Sequence, residues 1–130
     1  MSRALVLARK GYGRTSPNPM VGAVLVKRGQ IIGEGWHRRA GAPHAEVEAI
    51  RKAANPKGGI LYATLEPCST VGRTPSCTEI IKAAGIRRVI AATVDPNVNH
   101  NTRAFSIFRR EGIEVTRGVL RTEAVELKAA

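Results

Sequence analysis

Residues 87–94, Arg-Arg-Val-Ile-Ala-Ala-Thr-Val, restrict the fold of this chain more than any other stretch. After the two arginines the run is almost unbroken in apolar residues, several of them β-branched. It is too short for the ~20 residues of a membrane span. A strand of this composition is covered on both faces, which is the habit of parallel strands in sheets with helices above and below.

The remaining pattern agrees with such a sheet. Residues 3–10 read as a helix ended by Gly11 and Gly13, and two prolines make 14–19 a loop. Residues 21–26 and 31–37 read as strands joined through Arg28-Gly29-Gln30 into a hairpin. Helices are predicted at about 44–54, 76–84, 101–111 and 121–129, and strands at 60–65, 87–94 and 113–117. A helix, a hairpin and then alternating helices and strands predict an α/β domain whose later strands run parallel. No internal repeat or linker interrupts the 130 residues, a length that suits one domain. Ligand clefts in such sheets open beyond the carboxyl ends of the strands, where loops meet helix N-termini. Residues 43–46 and 66–77 both fall at such places.

Lys and Arg number 21 against 10 Asp and Glu, a formal net charge of +11. That excess suits either an anionic ligand, such as a phosphate or a nucleic acid, or simply a basic solvated surface. The aromatic residues Tyr12, Trp36, Tyr62, Phe105 and Phe108 are too few for a platform that stacks single strands. The apolar patch Ala4–Ala8 is too short for a secretory signal, so a cytoplasmic protein without membrane contact is expected.

Chemistry concentrates in three short pieces. His44-Ala45-Glu46 follows Pro43 at a predicted helix start; Pro67-Cys68 follows a strand end; Cys77 lies near the start of the next helix. In a reducing compartment a disulfide between Cys68 and Cys77 is disfavoured, which leaves metal ligation, redox chemistry or no role. One imidazole and two thiolates suit zinc and leave its fourth tetrahedral position open, as catalytic rather than structural sites do. The positive end of a helix favours the thiolate that zinc requires. Glu46, in the same first turn as His44, can reach that open position and move protons there. His37 and His100 lack ligand-like spacing. Each piece has a plain alternative: a surface histidine, a solvated glutamate, two cysteines acting as small apolar residues. Together, a His-x-Glu followed by Pro-Cys and a later Cys is the pattern of zinc nucleobase deaminases.

More specifically, His44-Ala45-Glu46 with Pro67-Cys68-Ser69 and Gly72-Arg73-Thr74-Pro75-Ser76-Cys77 resembles the pyrimidine deaminase domain of the riboflavin-biosynthesis deaminase/reductase. Eight residues separate the two cysteines here, where general cytidine and tRNA adenosine deaminases have two. The segments Pro17–Val24, Gly33–His37, Thr64–Cys68 and Asp95-Pro96-Asn97 carry the likeness over nearly the whole chain. It implies a cytidine deaminase-like three-layer α/β/α sandwich around a five-stranded mixed sheet. It implies one zinc-dependent deaminase domain over 1–130, without the reductase domain, and a tendency to self-associate. The implied reaction is hydrolytic removal of the 2-amino group of 2,5-diamino-6-ribosylamino-4(3H)-pyrimidinone 5′-phosphate. By matching position, His44, Cys68 and Cys77 hold Zn2+, Glu46 shuttles protons, and Asn18, His37, Arg73, Asp95 and Asn97 contact substrate.

The residue types fit those roles. Asn18 offers both a donor and an acceptor to a ring edge, and Arg73 a planar fork for phosphate. Asn18 and Asp95 are also turn formers beside prolines, and Arg73 is equally a solvated loop charge. The family usually has His at the place of Thr70, a second Pro at Ser76, and a Gly-x-Gly segment where this chain reads Val98-Asn99-His100-Asn101-Thr102-Arg103-Ala104. These departures leave the zinc residues intact and keep open a different nucleoside, base or nucleic acid as the substrate.

Overall fold

The computed structural model describes residues 1–11, 20–38, 44–67, 76–93 and 103–120. Its elements are α1 (Ser2–Arg9), β1 (Gly22–Lys27), β2 (Gln30–Trp36), α2 (Ala45–Lys52), β3 (Ile60–Ala63), α3 (Cys77–Ala83), β4 (Arg88–Ala91), α4 (Arg103–Arg110) and β5 (Glu114–Arg117). The five strands form one sheet in the order β2-β1-β3-β4-β5. β1 pairs antiparallel with β2 and β3, whereas β3, β4 and β5 run parallel. The fold is therefore the expected α/β arrangement on a mixed five-stranded sheet.

Alternation along the strands builds the layers. Ala23, Leu25, Leu61, Val89 and Ala91 point into the main core, against Ala45 and Ala49 of α2, Ile81 of α3, and Ala104, Phe105 and Phe108 of α4. Val24, with the half-buried Val26 and Tyr62, faces the other way, onto Ala4 and Leu7 of α1. Among the described residues, helices thus cover both faces, α2, α3 and α4 on the first and α1 on the second. Phe105 and Phe108 are fully buried, and each contributes roughly 2–3 kcal/mol of apolar transfer.

Two glycines set how closely α2 lies on the sheet. A Cβ at Gly33 would run into the Ala49 carbonyl, and one at Gly35 into the Ala45 carbonyl. Only hydrogen at those Cα atoms lets the helix backbone sit directly on β2. Trp36, on the outer strand, carries Arg38 at 3.8 Å, Lys10 at 4.7 Å and Lys52 at 5.5 Å from its ring. Charge gathered on an edge strand discourages pairing with another chain.

The strands of the parallel half are shorter than the apolar runs that predict them. Beyond the last regular pair, Ala63↔Ala91, Thr64 and Thr93 add hydroxyl bonds to isolated backbone bonds between the strand ends. The helix expected over 44–54 stops at Lys52, because Ala53 turns extended at φ −80° and ψ 132°. The predicted loop 14–19 and terminal helix 121–129 fall outside the described residues, as do residues 94 and 101–102. Among the described residues no helix is long and apolar enough to cross a membrane.

Candidate active site

One end of the sheet gathers the polar buried residues. The end of β2, the start of β1 and the ends of β3 and β4 meet there, and hydrogen bonds cross from strand to strand. The His37 N–H donates to the Val21 carbonyl (2.9 Å) and the Gly22 N–H to the Thr64 hydroxyl (3.1 Å). The Thr93 hydroxyl donates to the Thr64 carbonyl (3.1 Å), and the Glu66 N–H to the Thr93 carbonyl (2.8 Å). The Glu66 carboxylate then accepts from the Ala104 N–H in the first turn of α4 (3.0 Å). Buried polar groups need such partners, and here the partners also fix the strand ends relative to one another.

Two helix N-termini point into the same region. His44 is the N-cap of α2, and Glu46 lies in the first turn. Cys77 is the first residue of α3, behind the N-cap Ser76, whose hydroxyl accepts from the Glu79 N–H (3.3 Å). His44 Nδ1 is 3.1 Å from Cys77 Sγ. Donor atoms of His44, Glu46 and Cys77 all lie within 4.8 Å of one another. Glu46 and Cys77 are each 3% exposed, while His44 is open to solvent. The positive ends of both helices favour negative charge in the space between them.

The donor set suits zinc. Nitrogen and sulfur bound to one tetrahedral zinc at ordinary lengths stand about 3.6 Å apart, a few tenths beyond the separation found here. A soft sulfur and a borderline nitrogen are the ligand types that zinc takes in preference to magnesium or calcium.

His37 is buried, with its ring edge-on to that of His44 (centroids 5.4 Å apart, planes at 87°). It therefore lies beside the cluster, behind the exposed His44. Asn18, Cys68, Arg73, Asp95 and Asn97 lie outside the described residues, as do Thr70 and His100. Glu66, Thr64 and Thr93 were assigned no role from sequence. The signal that could have singled out Glu66 is a carboxylate closing an apolar strand, where solvent cannot reach it.

Comparison with known proteins gives a consistent result. The family model for the cytidine and deoxycytidylate deaminase zinc-binding region matches residues 1–93. The riboflavin biosynthesis protein RibD of Aquifex aeolicus is 52% identical over 98% of this chain and 36% of its own length. That of Escherichia coli is 50% identical over 98% of this chain and 35% of its own. A solved structure from Thermotoga maritima, described as a diaminohydroxyphosphoribosylaminopyrimidine deaminase/5-amino-6-(5-phosphoribosylamino)uracil reductase, superposes with a TM-score of 0.94 at 48% identity. It covers 99% of this chain and 38% of that one. The chain thus spans about a third of the length of the relatives it matches.

Proposed function

The chain belongs to the cytidine and deoxycytidylate deaminase zinc-binding family, and from that membership we propose that it is a hydrolytic deaminase of an amino-pyrimidine. The substrate is 2,5-diamino-6-ribosylamino-4(3H)-pyrimidinone 5′-phosphate, the compound whose deaminase the Thermotoga relative is named for. The observation that carries the proposal is the meeting of His44, Glu46 and Cys77 donor atoms within 4.8 Å at two helix N-termini. Residues 1–130 act as a single deaminase domain, in the cytoplasm and as a homo-oligomer.

In this reading His44 and Cys77, with Cys68, would hold zinc, which would supply the Lewis acidity that makes water easier to deprotonate near neutral pH. Glu46 does the proton work. As water adds to the carbon bearing the 2-amino group, the Glu46 carboxylate takes a proton and passes it to the adjacent ring nitrogen. It then takes the second proton of that oxygen and gives it to the amine. The carbon–nitrogen bond breaks, ammonia leaves, and the oxygen remains as the ring carbonyl. One water is consumed per ammonia released. Burial of Glu46 suits this role, since a carboxylate shielded from bulk water returns its proton to substrate and not to solvent. Asn18, His37, Arg73, Asp95 and Asn97 grip ring, sugar and phosphate.

The test is ammonia release from a panel of amino-pyrimidines, each with and without 5′-phosphate, together with zinc content by elemental analysis. Turnover of the phosphorylated diamino-pyrimidinone above the others is expected. Turnover confined to another nucleoside or base would refute the substrate, and a zinc-free active protein would refute the chemistry. The +11 charge gives a polynucleotide substrate the second place. Deamination within an oligonucleotide, with steeply salt-dependent affinity, would favour it.

A further inference from the structure

Glu66 is 4% exposed, and two of its hydrogen bonds reach residues on either side of one stretch of chain. Its N–H donates to the Thr93 carbonyl at 2.8 Å, continuing the β3–β4 ladder past its last strand pair, Ala63↔Ala91. Its carboxylate accepts from the Ala104 N–H at 3.0 Å, from 38 residues away in sequence. The first N–H groups of a helix have no acceptor within the helix. The sheet supplies one to α4 through Glu66. Asp95 and Asn97, expected substrate contacts, lie between Thr93 and Ala104 in sequence, while Cys68, an expected zinc ligand, follows Glu66 by two residues.

We propose that Glu66 is a positioning residue: it locks the start of α4 and the end of β4 to the strand end that leads into Cys68, and so sets how substrate is held rather than how it reacts. This rests on the deaminase reading above. Phe105 and Phe108 already bury α4 against the sheet, but apolar contact has no direction and leaves a helix free to slide along its axis. A hydrogen bond of defined length to the second residue of α4 removes that freedom.

The experiment compares wild type, Glu66→Ala and Glu66→Gln in the zinc-loaded protein, reading kcat, KM, zinc content and exchange of the Ala104 amide. In Glu66→Ala, KM rises at least about tenfold with kcat within about threefold, zinc stays at the wild-type level, and the Ala104 amide exchanges at least about tenfold faster. Glu66→Gln keeps an acceptor oxygen and restores all four readouts to within about threefold of wild type. An unchanged KM in Glu66→Ala, a fall confined to kcat, loss of zinc, or a Gln variant as impaired as Ala would each overturn the proposal. If Glu66→Ala does not fold, Glu66→Asp, one methylene shorter, replaces it with the same criteria. If wild type releases no ammonia, the deaminase reading fails by itself. Ala104 exchange then decides this proposal: acceleration in Ala reversed in Gln supports it, and unchanged exchange overturns it.

Discussion

Replacing Gly35 by alanine tests whether the contact between α2 and β2 aims the site. The added methyl would meet the Ala45 carbonyl, the Glu48 Cβ at 2.7 Å and the Ala49 nitrogen at 2.9 Å. Ordinary contact begins at 3.4 Å, so the helix must retreat by about 1 Å to clear the nearest of these, the Ala45 carbonyl. Pairing of Gly35 with Ala23 of β1 ties the strand to the sheet, so the helix is expected to take up most of the shift. The struck residues are in the first turns of α2, which carry His44 and Glu46. Reacting groups need to be held within about 0.5 Å, and a misplacement near 1 Å can cost 10²-fold in rate. Gly35→Ala is therefore expected to lower kcat/KM for ammonia release by about 10–100-fold, and to destabilise the fold by about 1–3 kcal/mol. Gly29→Ala separates the two effects. Its Cβ would meet nothing within 4 Å, but φ is +76°, so it strains the hairpin turn at the opposite end of the strands from the site. That variant is expected to lose about 1–2 kcal/mol in thermal or denaturant unfolding and to keep its activity. If Gly35→Ala kept wild-type kcat/KM and zinc content, the claim that this close approach aims the site would be refuted.

Glu46→Gln keeps the shape and removes the base; ammonia release is expected to fall by about 10²–10⁴-fold with zinc content unchanged by elemental analysis. Removing zinc with a chelator is expected to stop ammonia release and lower Tm, both recovering when zinc is restored. Cys77→Ala is expected to hold no zinc at micromolar metal, and full occupancy in that variant would remove Cys77 from the ligand set. A pH effect arises away from the site. Arg3 donates to Glu34 at 2.6 and 3.2 Å, and this bond holds the Glu34 carboxyl below the usual carboxylate range. A carboxyl depressed in the folded state stabilises it above the unfolded pKa, and the contribution is lost as pH falls through the folded value. The stability lost in Glu34→Gln should therefore be present at neutral pH, small because the pair is exposed, and should fade in acid as the pH falls below the ordinary carboxylate range and through the depressed folded value. A difference that grew in acid would contradict the assignment.

The parallel core was legible because Val89, Ile90 and Ala91 announce burial without any reference to the rest of the chain. His44 and Cys77 were legible for a similar reason: each begins a helix, and helix starts follow from local chemistry. Other features depend on what comes near in space. Nothing around Gly33 and Gly35 in sequence indicates that α2 will rest on them, since the collision a side chain would make is with a backbone some ten or more residues further on. Glu66 looks like any glutamate before a turn until Ala104, 38 residues later, presents its N–H. The ends of β3 and β4 were overestimated because threonine suits a strand by propensity, while Thr64 and Thr93 lie past the last regular pair, Ala63↔Ala91, and add hydroxyl bonds to the backbone ones that continue there.

A division of labour follows from where the restraints lie. The groups expected to do chemistry, His44, Glu46 and Cys77, sit on the first turns of helices whose apolar faces are held by the main core. Their spacing is fixed by Ala45, Ala49 and Ile81, residues with no chemistry of their own. The bonds from His37 through Thr64 and Thr93 to Glu66 and Ala104 hold the strand ends by direction and not by bulk. Apolar packing tolerates volume-conserving exchange, whereas a chain of directional bonds fails where one donor or acceptor is lost.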